Sequence, residues 1–159
     1  PDVYELDDET NVTVDDDERP DSYYGVSKAY GEDMGRFYIE QRAYPKRFYA
    51  ARIASVRAGV YDNPYGDAEK GVERGDWERG DQQYTEQVKR LKGTWLSRRD
   101  WAQLVELCLG DEETTFGIFF ATSDNPRSWF DLEHTKELLG YEPQDSASDW
   151  QSPPSELLE

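Results

Sequence analysis

Cysteine and histidine are almost missing from these 159 residues, with one of each, Cys108 and His134. A single thiol cannot supply a disulfide framework or a multi-cysteine metal site, and it suits a reducing compartment, so a cytoplasmic location is expected. One imidazole cannot build a nucleophilic triad by itself. His134 stands beside Glu133 in a helical stretch and reads as a surface residue, while Cys108 lies on an apolar stripe and reads as core. Long apolar runs are also absent: none approaches the roughly 18 residues of a membrane span, and no signal-peptide pattern opens the chain. Apolar residues make up only 36%, which predicts a thin core. Lysine is scarce, six against twelve arginines.

Acid is what the chain has in excess. Thirty-five acidic groups face 18 basic ones, for a formal charge of -17. That field repels phosphate backbones and anionic lipid, which excludes nucleic acid and membrane surfaces as partners. The acids recur at Asp15 to Asp17, Asp76 to Asp81, Asp111 to Glu113 and Asp145 to Asp149, so they are no single tail. With arginine favoured over lysine, the pattern resembles proteins of salt-loving archaea, where concentrated salt screens self-repulsion to within a few ångströms. Fourteen per cent aromatics and several regular apolar runs separate the chain from a disordered acidic one. Asp15 to Asp17 lacks the alternate ligand spacing of a calcium loop, so no metal site is expected.

The length is that of one domain. Residues 1–21 hold nine acids before Arg19 and read as an irregular acidic surface segment closing on Pro20. Asp21 or Ser22 can cap a helix in which Val26, Tyr30, Met34, Phe37 and Tyr38 follow at helical spacing to about Gln41. Beyond Pro45, the run from Phe48 to Val56 has the apolar character of a strand buried on both faces. Residues 58–93 carry 14 charged groups and six glycines and read as a long charged insertion, in which only Tyr84, Val88 and Leu91 show helical spacing. Asp100 can cap a helix running to Gly110, Phe116 to Ala121 reads as a second buried strand, and Leu132, Leu138 and Leu139 mark a last helix stopped by Gly140. The polar tail, 151–159 with the residues leading into it from Gln144, is expected to fray. The alternation of helix and strand makes the fold α/β.

One tyrosine and lysine stand four apart, Tyr24-Gly-Val-Ser-Lys28. Spacing four puts both side chains on one helix face, where an ammonium favours the ionised phenol. A tyrosinate can take a proton from an alcohol while hydride leaves the same carbon. The bare pattern is weak, and a surface tyrosine beside a solvated lysine is the plain alternative.

The wider string Arg19-Pro-Asp-Ser-Tyr-Tyr-Gly-Val-Ser-Lys-Ala-Tyr-Gly-Glu32 resembles the active-site helix of the extended short-chain dehydrogenase/reductase family, also called the NAD-dependent epimerase/dehydratase family. Arg52-Ile-Ala-Ser55 is similar to the strand that follows that helix. Arg90 to Asp100, Ser123 to Asp131 and Leu139 to Asp145 resemble a narrower branch, the uronate dehydrogenases and the haloarchaeal NAD-dependent sugar dehydrogenases. The likeness runs from about Tyr4 to Trp150. It implies a Rossmann-like doubly wound sheet represented by its C-terminal part, 22–150, with the N-terminal dinucleotide-binding half and its glycine-rich turn missing. The Ser or Thr that orients the substrate oxygen in the family would precede Pro1.

Carried onto matching positions, the resemblance makes Tyr24 the general acid/base and Lys28 the group holding the nicotinamide ribose, with Ile53 lining the nicotinamide pocket. Ser55 would face the sugar, and Arg90 would clasp an anionic group with its planar fork. The plain alternatives are a polar strand-end filler for Ser55 and a solvated charge for Arg90. The implied reaction is NAD-dependent oxidation of a hydroxyl on a sugar, uronic acid or sugar phosphate, with NADP still open and a homodimer the family's common state. Two alternatives remain: a nucleotide-sugar epimerase or dehydratase, and a non-catalytic relative that senses the cofactor. Against the former, Ser55 stands where such enzymes usually carry Asn.

Overall fold

The structure, a computed structural model, describes residues 12–158. Of the acidic segment expected at 1–21, residues 1–11 lie outside the described residues. Among the described residues, five α-helices and two strands follow in the order α1 (Tyr23–Gln41), β1 (Phe48–Ile53), α2 (Gly66–Arg74), α3 (Gln82–Thr94), α4 (Arg98–Gly110), β2 (Phe116–Ala121) and α5 (Glu133–Leu139). β1 and β2 are parallel, in register from Phe48 opposite Phe116 to Ile53 opposite Ala121. The whole of α2 to α4 therefore forms the crossover between two neighbouring strands, as a parallel pair requires.

The core gathers where α4, α5 and the chain beyond them close over β2. Leu96, Leu104, Phe119, Ala121, Leu132, Leu139 and Tyr141 are buried together there. Each large apolar side chain so buried stabilises the fold by roughly 1.5–3 kcal/mol. Gly140, at φ 67°, ends α5 as a left-handed cap that a side chain would strain.

β1 differs from expectation. It is only half-buried along its length, because β2 covers one edge and, among the described residues, no strand covers the other. The apolar stripe of α1 departs from expectation for the same reason: Val26, Tyr30, Phe37 and Tyr38 are exposed, and only Gly35 is buried. A two-stranded sheet offers this 19-residue helix too little surface. Contact is concentrated at Gly35, which has no Cβ and so lets the Phe48 ring lie against the helix, and at Arg36, 4.3 Å above the Phe116 ring.

The charged insertion is helical rather than irregular. α2 and α3 pack together, and α2 buries Gly66, Ala68, Glu69 and Gly71, with Gly66 against the Tyr61 backbone and Trp77 packed where a Cβ on Gly71 would stand. Glu69 is buried and accepts from Arg79 Nη2 at 2.6 Å and Tyr84 Oη at 2.6 Å. Burial first, then the bond to Glu69, pushes the Tyr84 phenol well above its ordinary range. The expected frayed tail is instead docked. Arg79 Nη2 donates to the Leu157 carbonyl, Lys92 Nζ to the Trp150 carbonyl, and Trp150 meets Trp95 edge to face.

Asp100 does not cap α4. Ser97 does, its Oγ accepting from Asp100 N at 3.0 Å. The Asp100 carboxylate is fully buried and accepts from Ser123 Oγ (2.6 Å), Gln144 N (2.8 Å) and Asp145 N (3.2 Å). It ties α4, the turn after β2 and the start of the tail into one unit.

Candidate functional site

Ser22 starts the site by capping α1, its Oγ accepting from Gly25 N at 3.1 Å. Gly25 leaves room at this entry point: a Cβ there would stand 3.1 Å from Pro20 Cβ, tighter than an ordinary contact, and without it Pro20 lies close against the first turn. This start to the helix fixes Tyr24 on the first turn and Lys28 on the next. Their side chains meet on one face, with Lys28 Nζ 4.9 Å from the Tyr24 ring centroid. Tyr24 is 71% exposed, open to any ligand.

That face looks onto a cleft of about 650 Å³ lined by Tyr24, Lys28 and Glu32 of α1, by β1, and by Phe120 and Phe130. Its floor is tied down by charge. Arg52 donates from Nε and Nη2 to both oxygens of Glu32 (3.0 and 2.8 Å) and from Nη2 to Glu18 (2.9 Å). The guanidinium also lies 5.6 Å from the centroid of the Phe120 ring, which stacks on Phe130 at 4.8 Å. Burial acts to raise the Glu32 carboxyl, but its bonds to Arg52 and Glu18 outweigh it, and Glu32 lies below its ordinary 4.5. Glu18, hydrogen-bonded to Glu32 and partly buried, is raised.

A second cleft of about 440 Å³ adjoins the first. Ile53, Ala54, Ser55, Arg90, Thr94, Trp129 and Phe130 line it. Ile53, Ala54 and Phe130 belong to both clefts, so the two join into one groove: the larger lobe runs along the uncovered side of β1 from Phe48, and the smaller lies at the carboxyl end of the parallel strands, where ligands of open α/β sheets bind. All five residues singled out in the sequence line this groove. Ile53 is 48% exposed between its lobes. Ser55 is only 5% exposed, and its Oγ accepts from Thr94 Oγ1 at 3.1 Å. Arg90 is exposed on α3, and among the described residues its guanidinium makes no ion pair.

The sequence reading overlooked Glu32, Arg52 as its partner, Thr94 and the Phe120/Phe130 stack. Glu32 was within reach: it follows Lys28 by four and shares its helix face. The other three depend on contacts between distant segments. His134 lies outside the groove lining and bonds the Ile118 carbonyl through Nε2. Cys108 is half-buried, and burial, followed by the charge of Asp111, raises its thiol, which disfavours the reactive thiolate. Among the described residues no group of three His, Cys, Asp or Glu could hold a metal ion, and no helix is long and apolar enough to cross a membrane.

A nicotinamide and its ribose suit the larger lobe: an ammonium and a phenol stand on one side and flat apolar walls on the other. The pyrophosphate end finds no match, because among the described residues no glycine-rich turn of the family's kind leads from a strand into a helix N-terminus.

A parallel α/β pair with helices packed on it fits part of a Rossmann-type fold, and comparison with solved structures agrees. Glucuronic acid dehydrogenase from Chromohalobacter salexigens superposes with a TM-score of 0.65 at 25% identity, over 89% of this chain and 42% of that one. No protein-family model matches. Among curated proteins, the NAD-dependent glucose-6-phosphate dehydrogenase of Haloferax volcanii is 29% identical over 94% of this chain and 47% of its own length. The uronate dehydrogenase of Pseudomonas syringae pv. tomato is 31% identical over 86% of this chain and 40% of its own length. The chain is thus similar to part of uronate dehydrogenases and of haloarchaeal NAD-dependent sugar dehydrogenases. It spans less than half the length of these relatives.

Proposed function

We propose that this chain is the substrate-side part of an NAD-dependent dehydrogenase that oxidises a hydroxyl of a sugar, a uronic acid or a sugar phosphate. The observation that carries the reading is the single groove in which the Tyr24/Lys28 pair and the Ser55/Arg90 pair meet across Ile53. The bound nicotinamide supplies the hydride acceptor. Tyr24 takes the hydroxyl proton at its phenolic oxygen, and Lys28, on the same face, favours the negative charge on that oxygen and holds the ribose. Ile53 packs against the ring and keeps water from the reacting carbon. Ser55 and Arg90 hold the far end of the sugar, so that the carbon to be oxidised lies beside Tyr24.

Arg90 favours an anionic substrate, because an unpaired guanidinium binds a carboxylate or phosphate through two parallel hydrogen bonds. Pairing of two copies through α1 has support in the exposed Val26, Tyr30 and Phe37 on that helix. The test is Tyr24→Phe in the intact protein that carries this chain, assayed as NAD reduction with glucuronate, glucose 6-phosphate and arabinose. Turnover should fall by at least a hundredfold with NAD binding kept. Turnover retained within about threefold would discard the assignment.

A further inference from the structure

A third cleft, of about 360 Å³, lies between α2, α3 and the chain that leaves β1, and it shares no lining residue with the groove. Lys70 and Arg74 line it from α2, where spacing four puts both cations on one helix face. Like charges so placed repel unless a carboxylate or a bound anion lies between them. The acids of α2 are committed elsewhere. Asp67 takes the Arg57 guanidinium through two bonds of 2.5 Å, the buried Glu69 accepts from Arg79 and Tyr84, and Glu73 accepts from the Tyr61 hydroxyl. Among the described residues neither Lys70 nor Arg74 forms an ion pair. The repeat Glu-Arg-Gly-Asp at 73–76 and 78–81 makes the contrast plain: Arg79 of the second copy is spent on Glu69, whereas Arg74 of the first is exposed at the rim of the cleft. Trp77 supplies an apolar wall. It lies over Gly71, and its Nε1 donates to the Ala68 carbonyl at 2.8 Å, which fixes the ring against α2.

We propose that this cleft is an anion site separate from the groove, taking the phosphate group of a small phosphorylated molecule whose body packs on Trp77. A phosphate brings three oxygens and close to two charges, enough to meet an ammonium and a guanidinium at once. A carboxylate brings two oxygens and one charge, so it fits less well. The bound phosphate also relieves the repulsion between Lys70 and Arg74. Gln87 of α3 lines the opposite side and adds an amide that can donate. Asp76, exposed at the rim, is the one lining carboxylate without an ion pair among the described residues, and it opposes the ligand. Most of a surface carrying -17 charges repels such a ligand, so the two cations that face this cleft decide where it stays.

The experiment is a calorimetric titration of the intact protein with inorganic phosphate, without cofactor and at fixed ionic strength. It is made in the Arg90→Gln background, which removes the groove's own guanidinium from the reading. Phosphate should bind there with a Kd of roughly 1 mM or below. Adding Lys70→Gln and Arg74→Gln should weaken it roughly tenfold or more, and acetate should bind the Arg90→Gln protein roughly tenfold more weakly than phosphate does. Phosphate should also raise the melting temperature of the Arg90→Gln protein, and the two added changes should remove that rise. Should the triple variant fail to fold, Arg74→Gln alone carries the test, with a loss of about threefold or more. Unchanged phosphate binding after the added changes, or no heat from the Arg90→Gln protein at about 10 mM phosphate, would overturn the site. Either result leaves the Tyr24 reading to its own turnover assay.

Discussion

Replacing Asp100 by Ala should be the most damaging single change outside the groove. The carboxylate is fully buried, and three donors point at it: Ser123 Oγ at 2.6 Å, Gln144 N at 2.8 Å and Asp145 N at 3.2 Å. A buried donor stripped of its acceptor costs about 1–3 kcal/mol. With three donors affected, and water entering part of the vacated space, a loss of about 3–5 kcal/mol is expected. Asp100→Asn keeps one acceptor oxygen at nearly the same volume but turns an amide towards one of the donors, so about 1–3 kcal/mol should be lost. The assay is equilibrium urea unfolding of the intact protein, followed by tryptophan fluorescence. An alanine variant within about 1 kcal/mol of the parent, or an asparagine variant worse than the alanine one, would refute the reasoning that this carboxylate is the acceptor joining α4, β2 and the tail.

Gly35→Ala should cost about 1–3 kcal/mol, because the added methyl collides with the Phe48 ring where α1 lies closest to the sheet; thermal unfolding of the variant checks this. Acid should destabilise the fold. Glu32 and Asp111 are held below their ordinary 4.5 and 3.8, so their contribution is complete above those values and is lost as the pH falls through the folded-state ones. Asp111 owes its depression chiefly to its bonds with Thr114 and Glu113 and also to the Tyr49 hydroxyl, itself pushed up to about 12 by burial and then by Asp111. Glu18 is raised and works in the opposite sense, so Asp111→Asn is the cleaner probe: it should flatten the fall in melting temperature between about pH 5 and 3. Raising potassium chloride from roughly 0.1 to 1 M, which shortens the screening length from about 10 to 3 Å, should raise the melting temperature of a chain carrying -17 charges.

Much of this could be read from the sequence where local chemistry settled the structure. Ser22 caps α1, Gly140 ends α5, and β2 runs from Phe116 to Ala121 as its apolar run implied. The Tyr24/Lys28 face followed from helix geometry alone. What escaped was decided by contacts across distant segments. α2 buries small residues and a carboxylate rather than large apolar ones, so its sequence carries no apolar stripe to find. Ser97 and Asp100 both suit a cap, and only the donors from Ser123, Gln144 and Asp145 show that Asp100 turns inward. The tail is polar in sequence yet is held by Arg79, Lys92 and Trp95, partners 55 or more residues away. The groove divides in the same way. The five groove residues picked from the sequence came from one motif and its likeness, whereas the Arg52–Glu32 pair is visible only when α1 meets β1, and Thr94 only when α3 meets the end of β1.

The central claim is that hydride leaves a sugar carbon in a groove where Tyr24 and Arg90 hold opposite ends of the substrate. Glucuronate carrying deuterium on its anomeric carbon, incubated with NAD and the intact protein, tests it directly. The account predicts that the label is recovered on the nicotinamide ring with net formation of reduced cofactor. Deuterium left on the sugar or lost to water, with no reduced cofactor accumulating, would contradict it.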